Sequence, residues 1–197
     1  MANVKAVHFV GESIVRFLDN SYPDDLRHDF ACTFKQSATG FLANADEADT
    51  TLSLLLYRIQ SNEHLRQTRP TPFSNRRPPL ALDLDYLLTV WSKAAGDEHV
   101  ILTWAMRQLQ LHPTLDGSIL RGDASWKRTD SIEITPAELS LEQMARIWDR
   151  MHSSYRLSVA YTARVVLVEE DSMTDSLPVV AERFSYGGVP ESNGGRL

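Results

Sequence analysis

Between Leu80 and Trp91 the chain alternates so regularly that a β-strand is the natural reading. Leu80, Leu82, Leu84, Tyr86 and Leu88 share one face, while Asp83 and Asp85 share the other with Ala81 and Leu87. Side chains of a strand project to opposite faces with period two, so this stretch predicts one apolar face and one face carrying two carboxylates. Two further stretches belong with it. Thr51 to Ile59 is apolar on both faces at its centre, as in an interior strand covered on two sides. Tyr155 to Val168 reads as a long strand with Tyr155, Leu157, Val159, Tyr161, Ala163, Val165 and Leu167 on one face. Shorter strands are expected where Leu26, His28, Phe30, Cys32 and Phe34 alternate with polar neighbours, and over Ser131 to Thr135.

Helical periodicity separates these strands. Val4, Val7, Val10, Ile14, Phe17 and Leu18 predict an amphipathic helix with Gly11 as a weak point and Asn20, Ser21 and Pro23 as its stop. A second helix is expected from a cap at Asp97 to Leu111, closed by His112-Pro113, with Val100, Ile101, Trp104, Ala105, Met106 and Leu109 as its stripe. Ser140 and Gln143 have capping-box spacing and open a third, striped by Leu141, Met144, Ile147, Trp148 and Met151. Residues 40–50 read as a loop with an acidic patch (Asp46, Glu47, Asp49). Glu63 to Pro79 holds four prolines and four arginines and can only be a loop or extended arm. The expected fold is therefore α/β (α+β), a central mixed sheet of about four to six strands flanked by helices. The 197 residues suit a single domain over 1–170 and a flexible tail over 171–197, in which a short strand near 178–186 is the one element expected.

Chemistry is hard to find. The nearest approach to a nucleophile elbow, Gly11-Glu12-Ser13, lies within a predicted helix and lacks the second glycine. Phosphate-loop and dinucleotide fingerprints are missing, and no two of the six histidines stand four apart on one helix face. The single cysteine, Cys32, sits between Phe30 and Phe34 in the alternation and reads as a small buried hydrophobe. A lone cysteine forms no internal disulfide and favours folding in a reducing cytoplasm. Asp83 and Asp85 are the one carboxylate pair that could hold a hard cation, since both project from one strand face. The plainer reading, which we prefer, is a polar sheet face or a salt bridge to arginine. No cofactor is called for. A net charge of −6 opposes nucleic acid as a partner, and no apolar run approaches the roughly 18 residues of a membrane span.

Arg66, Arg69, Arg76 and Arg77 are the candidate contact residues. Arginine interspersed with proline suits an extended arm that meets carboxylates on another chain, although a solvated surface loop would read the same.

Three blocks taken together resemble one family: LLLYRIQSN over 54–62, RRPPLALDLDYLLTVW over 76–91 and YRLSVAYTARVVL over 155–167. Asp97-Glu98-His99 opening a helix and His112-Pro113 closing it agree with them. The pattern is similar to the Pvc-type tail-terminator or cap family of extracellular contractile injection systems, the phage-tail-like particles of the virulence-cassette and antifeeding-prophage kind. The resemblance covers residues 4–168 and implies a tail-terminator-like fold without catalytic residues. It further implies a homohexameric ring at the end opposite the baseplate, partnered by the inner tube protein and the sheath protein, and assembled in the cytoplasm before the particle is complete. Two other readings stay open at this point: a head-tail connector or neck protein of a phage-like particle, and a metal-dependent enzyme using Asp83 and Asp85.

Overall fold

The computed structural model describes residues 3–38, 49–62, 79–120, 122, 124, 126–127, 129–151 and 155–168. Arg66, Arg69, Arg76, Arg77, the acidic patch at 46–47 and the expected tail all lie outside them. The described elements run α1 (Ala6–Ser21), α2 (Asp24–Asp29), β1 (Thr33–Ser37), β2 (Thr51–Ser61), β3 (Leu80–Trp91), α3 (Ala95–Leu111), β4 (Thr114–Asp116), β5 (Ser131–Ala137), α4 (Leu141–Arg150) and β6 (Ser158–Val168). The six strands form one mixed sheet in the order β1-β2-β3-β6-β5-β4. Only β1 and β2 are parallel; the other pairings are antiparallel. The fold is α+β, as the alternation of periods predicts.

Strand β3 occupies the span expected for it and lies between the two longest partners. Its two faces feed two separate cores. Leu84, Tyr86, Leu88 and Val90 pack with Ala6, Val10, Ile14 and Leu18 of α1 and with Ile101, Leu102, Trp104, Ala105 and Leu109 of α3. On the opposite face Leu87 and Trp91 join Leu55, Ala160 and the α4 residues Met144 and Trp148, with Met151 just beyond the helix. That is why the middle of β2 and β3 is apolar on both faces. Helix α4 begins with the capping box that the sequence announces: Gln143 N–H donates to Ser140 Oγ and Ser140 N–H donates to Gln143 Oε1.

Several expectations are corrected. The strand expected over 26–34 is instead the short helix α2 followed by β1. Pro23, extended at φ −66° and ψ 147°, starts the helix. Asp24 and Asp25 in its first turn and Arg27 and His28 in its last complement the helix dipole. Asp97 does not cap α3, whose N-cap is Ala94; its carboxylate lies inside the first turn and accepts from Ser92 Oγ at 2.9 Å. Met106 and Leu141 point to solvent, Leu141 being 76% exposed, while Leu102 takes a core place in α3. Strand β4 falls where the sequence suggested only a loop, three residues paired with β5. Strand β6 starts at Ser158, and its inward residues change parity near its end: Tyr161 and Ala163 are followed in the core by Val166 and Val168, not by Val165 and Leu167.

Glycine matters at two places. Gly11, expected to weaken α1, is where Gln36 of β1 lays its amide against the helix; a Cβ there would meet that amide first. Gly122 has φ +89°, and a Cβ there would run into the ring of Phe9. Gly11→Ala should leave stability within about 1 kcal/mol of the parent, because the flexible Gln36 end can move while the helix gains propensity. Gly122→Ala should lower it by about 2 kcal/mol or more, since left-handed backbone and a ring clash combine. Urea unfolding midpoints of the two variants check the contrast.

Candidate functional site: a polar network on the open sheet face

Helix α4 covers only one end of its sheet face. Beyond it the surface is polar, because two β-bulges on either side of β3 gather hydrophilic side chains there. In β2 the register shifts between Leu56 and Arg58, so that Tyr57 is the extra residue. In β6 it shifts so that Arg164 and Val165 together face Asp83. A bulge re-aims side chains, and here both do so toward the two carboxylates of β3.

Asp85 is the centre. Its side chain is 2% exposed and accepts three hydrogen bonds: from Arg58 Nε at 2.7 Å and Gln60 Nε2 at 2.7 Å, both to Oδ2, and from Thr162 Oγ1 at 2.6 Å to Oδ1. Arg58 itself is 54% exposed, so one partner of the ion pair keeps most of its hydration while the other gives it up. Asp83 accepts from Asn62 Nδ2 at 3.1 Å to each oxygen and from the Val165 backbone N–H at 3.1 Å. The two carboxylates thus share a face, as the alternation predicts, but their acceptor capacity is engaged by protein donors. Among the described residues no group of three or more His, Cys, Asp or Glu side chains gathers to hold a metal ion. Of the preferred reading, a polar sheet face or a salt bridge to arginine, Asp85 takes the salt bridge, to Arg58, and Asp83 takes neutral donors on the polar face. Sequence reasoning had no means of naming Arg58, Gln60 and Thr162 as partners of Asp85, because register belongs to a pair of strands and in β2 a bulge at Tyr57 also interrupts it.

Neighbouring groups point the same way. Burial, and secondarily the Asp85 carboxylate, push the Tyr57 phenol up, so it stays neutral and protonated near pH 7. Cys32 is buried, and desolvation pushes its thiol up to about 12, which leaves almost no thiolate for nucleophilic attack. At the other end of β3, Arg156 donates to Glu98 Oε1 at 3.1 Å and to the Ser92 carbonyl at 3.2 Å, and its guanidinium lies over the Trp91 ring. This clamp ties the entry of β6 to the start of α3. No described helix is long and apolar enough to cross a membrane.

The arginine-rich stretch joins β2 to β3. Its described ends meet, since the Asn62 N–H donates to the Ala81 carbonyl at 2.9 Å. The end of β2 and the start of β3 therefore lie together beside Asp83. Asp85→Ala should lower stability by about 1–3 kcal/mol, the usual effect of stranding donors around a lost buried acceptor. Asp85→Asn should lower it less, and millimolar Ca²⁺ or Mg²⁺ should leave the melting temperature of the parent unchanged. Thermal unfolding with and without the ions checks all three.

No curated protein sequence matches this chain. Solved structures share its fold, and two are informative. One is the sheath/tube terminator of the extracellular contractile injection system PVC in its extended state, with a TM-score of 0.59 and 19% identity over 97% of this chain. The other is the tube-terminating cap of the anti-feeding prophage, with a TM-score of 0.56 and 14% identity over 95% of this chain. This chain spans 66% and 60% of the length of those two proteins. The model of the Pvc16 N-terminal domain matches residues 10–182, which takes in the whole sheet and the polar network between the bulges. The chain belongs to the Pvc16 N-terminal domain family.

Proposed function

We propose that this chain is a structural terminator of a phage-tail-like contractile injection system. It ends growth of the inner tube as a homohexameric ring, anchors the last sheath ring and carries out no reaction. Family membership over residues 10–182 carries this reading. The fold shared with a sheath/tube terminator and a tube-terminating cap supports it, and so does the engagement of Asp83 and Asp85 by protein donors.

The physical requirement on such a protein is asymmetry. A tube grows by repeating one interface, so a terminator must match that interface on one side and lack it on the other. This sheet is asymmetric in the way needed. One face is closed by α1 and α3, whereas the other is closed by α4 at one end and polar at the other. Among the described strands the two outermost also differ. Strand β4 is three residues long, too short to template much pairing, while β1 offers five residues to an incoming extended segment. Arg66, Arg69, Arg76 and Arg77 serve as partner contacts, meeting carboxylates of a neighbouring subunit or of the sheath. The ring is assembled in the cytoplasm and becomes part of the finished particle.

Electron microscopy of the purified protein mixed with tube subunits should show six-fold rings seated on tube ends, and tubes grown without it should have uncontrolled lengths. A protein that stays monomeric and shows no affinity for tube ends would overturn the reading. Arg76→Glu combined with Arg77→Glu should reduce ring or sheath association at least about tenfold, the effect of turning charge-assisted contacts into repulsion. Unchanged association would remove these two arginines and leave the terminator reading standing.

A further inference from the structure

The end of β6 presents a conflict that the sequence makes visible. Val165-Val166-Leu167-Val168 is apolar at every position, so its hydrophobic pattern is satisfied in either of two registers. In the register observed, Leu82 faces Val166 and Leu80 faces Val168, and Val166 and Val168 enter the core of α1 and α3. Continuing the pairing of Leu84 with Ala163 without a bulge would set Val165 opposite Leu82 and Leu167 opposite Leu80. Two aliphatic side chains would again point inward. Burial alone does not choose between them.

Local backbone energy favours the alternative. The observed register places Val165 at φ 61°, the one positive φ at a non-glycine position among the described residues, and Val is a β-branched residue for which that conformation is an outlier. Val165 is also 37% exposed, so its side chain recovers little by packing. What opposes the strain is Asp83. Its carboxylate accepts the Val165 N–H, which the bulge removes from the strand ladder, and is itself held by Asn62. A charged acceptor for an otherwise orphaned amide is the strongest local term available.

We propose that residues 165–168 form a two-register element, latched in the bulged register by Asp83. Release of the latch moves the strand end along β3 by one residue, about 3.3 Å. It also turns Val166 and Val168 to the open face and Val165 and Leu167 to the core. This inference is independent of what the chain caps.

Disulfide trapping in the full-length chain reads the register directly. Leu82→Cys paired with Val166→Cys reports the bulged form, and Leu82→Cys paired with Val165→Cys reports the other; native Cys32 is 6% exposed and stays out of the exchange. With Asp83 present, the first pair should dominate. Adding Asp83→Ala should raise the 82–165 product relative to the 82–166 product about tenfold or more, the factor that one charge-assisted hydrogen bond supplies. Asp83→Asn, which keeps an acceptor oxygen, should restore most of the parent ratio. A ratio indifferent to Asp83→Ala would overturn the latch. Should the Asp83→Ala chains fail to fold, Val165→Gly in the otherwise native chain decides. Relief of the left-handed valine should raise its urea midpoint, whereas the fall expected of glycine in an ordinary strand would overturn the proposal.

Discussion

The structure depends on a central strand that must satisfy two opposite demands along its length. At its C-terminal half β3 is enclosed on both faces, and Tyr86, Leu87, Leu88, Val90 and Trp91 draw α1 and α3 to one side and α4 to the other. At its N-terminal half the same strand carries two carboxylates, which cannot be enclosed without donors. The two flanking bulges reconcile these demands. The bulge in β2 brings Arg58 and Gln60 to Asp85, where Thr162 of β6 already lies opposite, and Asn62 and the bulged Val165 amide meet Asp83, at the point where α4 ceases to cover the sheet. An apolar end that recruits helices and a polar end that recruits hydrogen-bond donors follow from one strand.

This arrangement explains why Asp83, Asp85 and Cys32, residues of catalytic type, are each taken up in structure. Asp83 and Asp85 are acceptors saturated by protein donors, and Cys32 is a desolvated thiol held in its protonated form. Each group performs a structural task that its chemistry suits.

Much of the architecture was legible because strong periodicity survives tertiary context. The span of β3, the existence of α1 and α3, and the Ser140–Gln143 capping box are local signals written in side-chain spacing and hydrogen-bonding capacity. The failures have equally local causes. Alternation over 26–34 suggested a strand, but Pro23 and the paired aspartates start a helix there. Asp97 had the chemistry of a cap, but Ser92 and Thr50 supply donors that hold it one turn inside.

The sequence by itself determined the α+β class, the two-sided burial of the central strands, the placing of both carboxylates on one strand face and the family blocks that carry the terminator resemblance. Tertiary structure alone decided the strand order, the place of β4, the partners of Asp83 and Asp85 and the face that each residue at the end of β6 presents. The reason is the bulge. Period two is a property of one strand and can be read from it, whereas register is a property of a pair, and one inserted residue inverts every assignment beyond it.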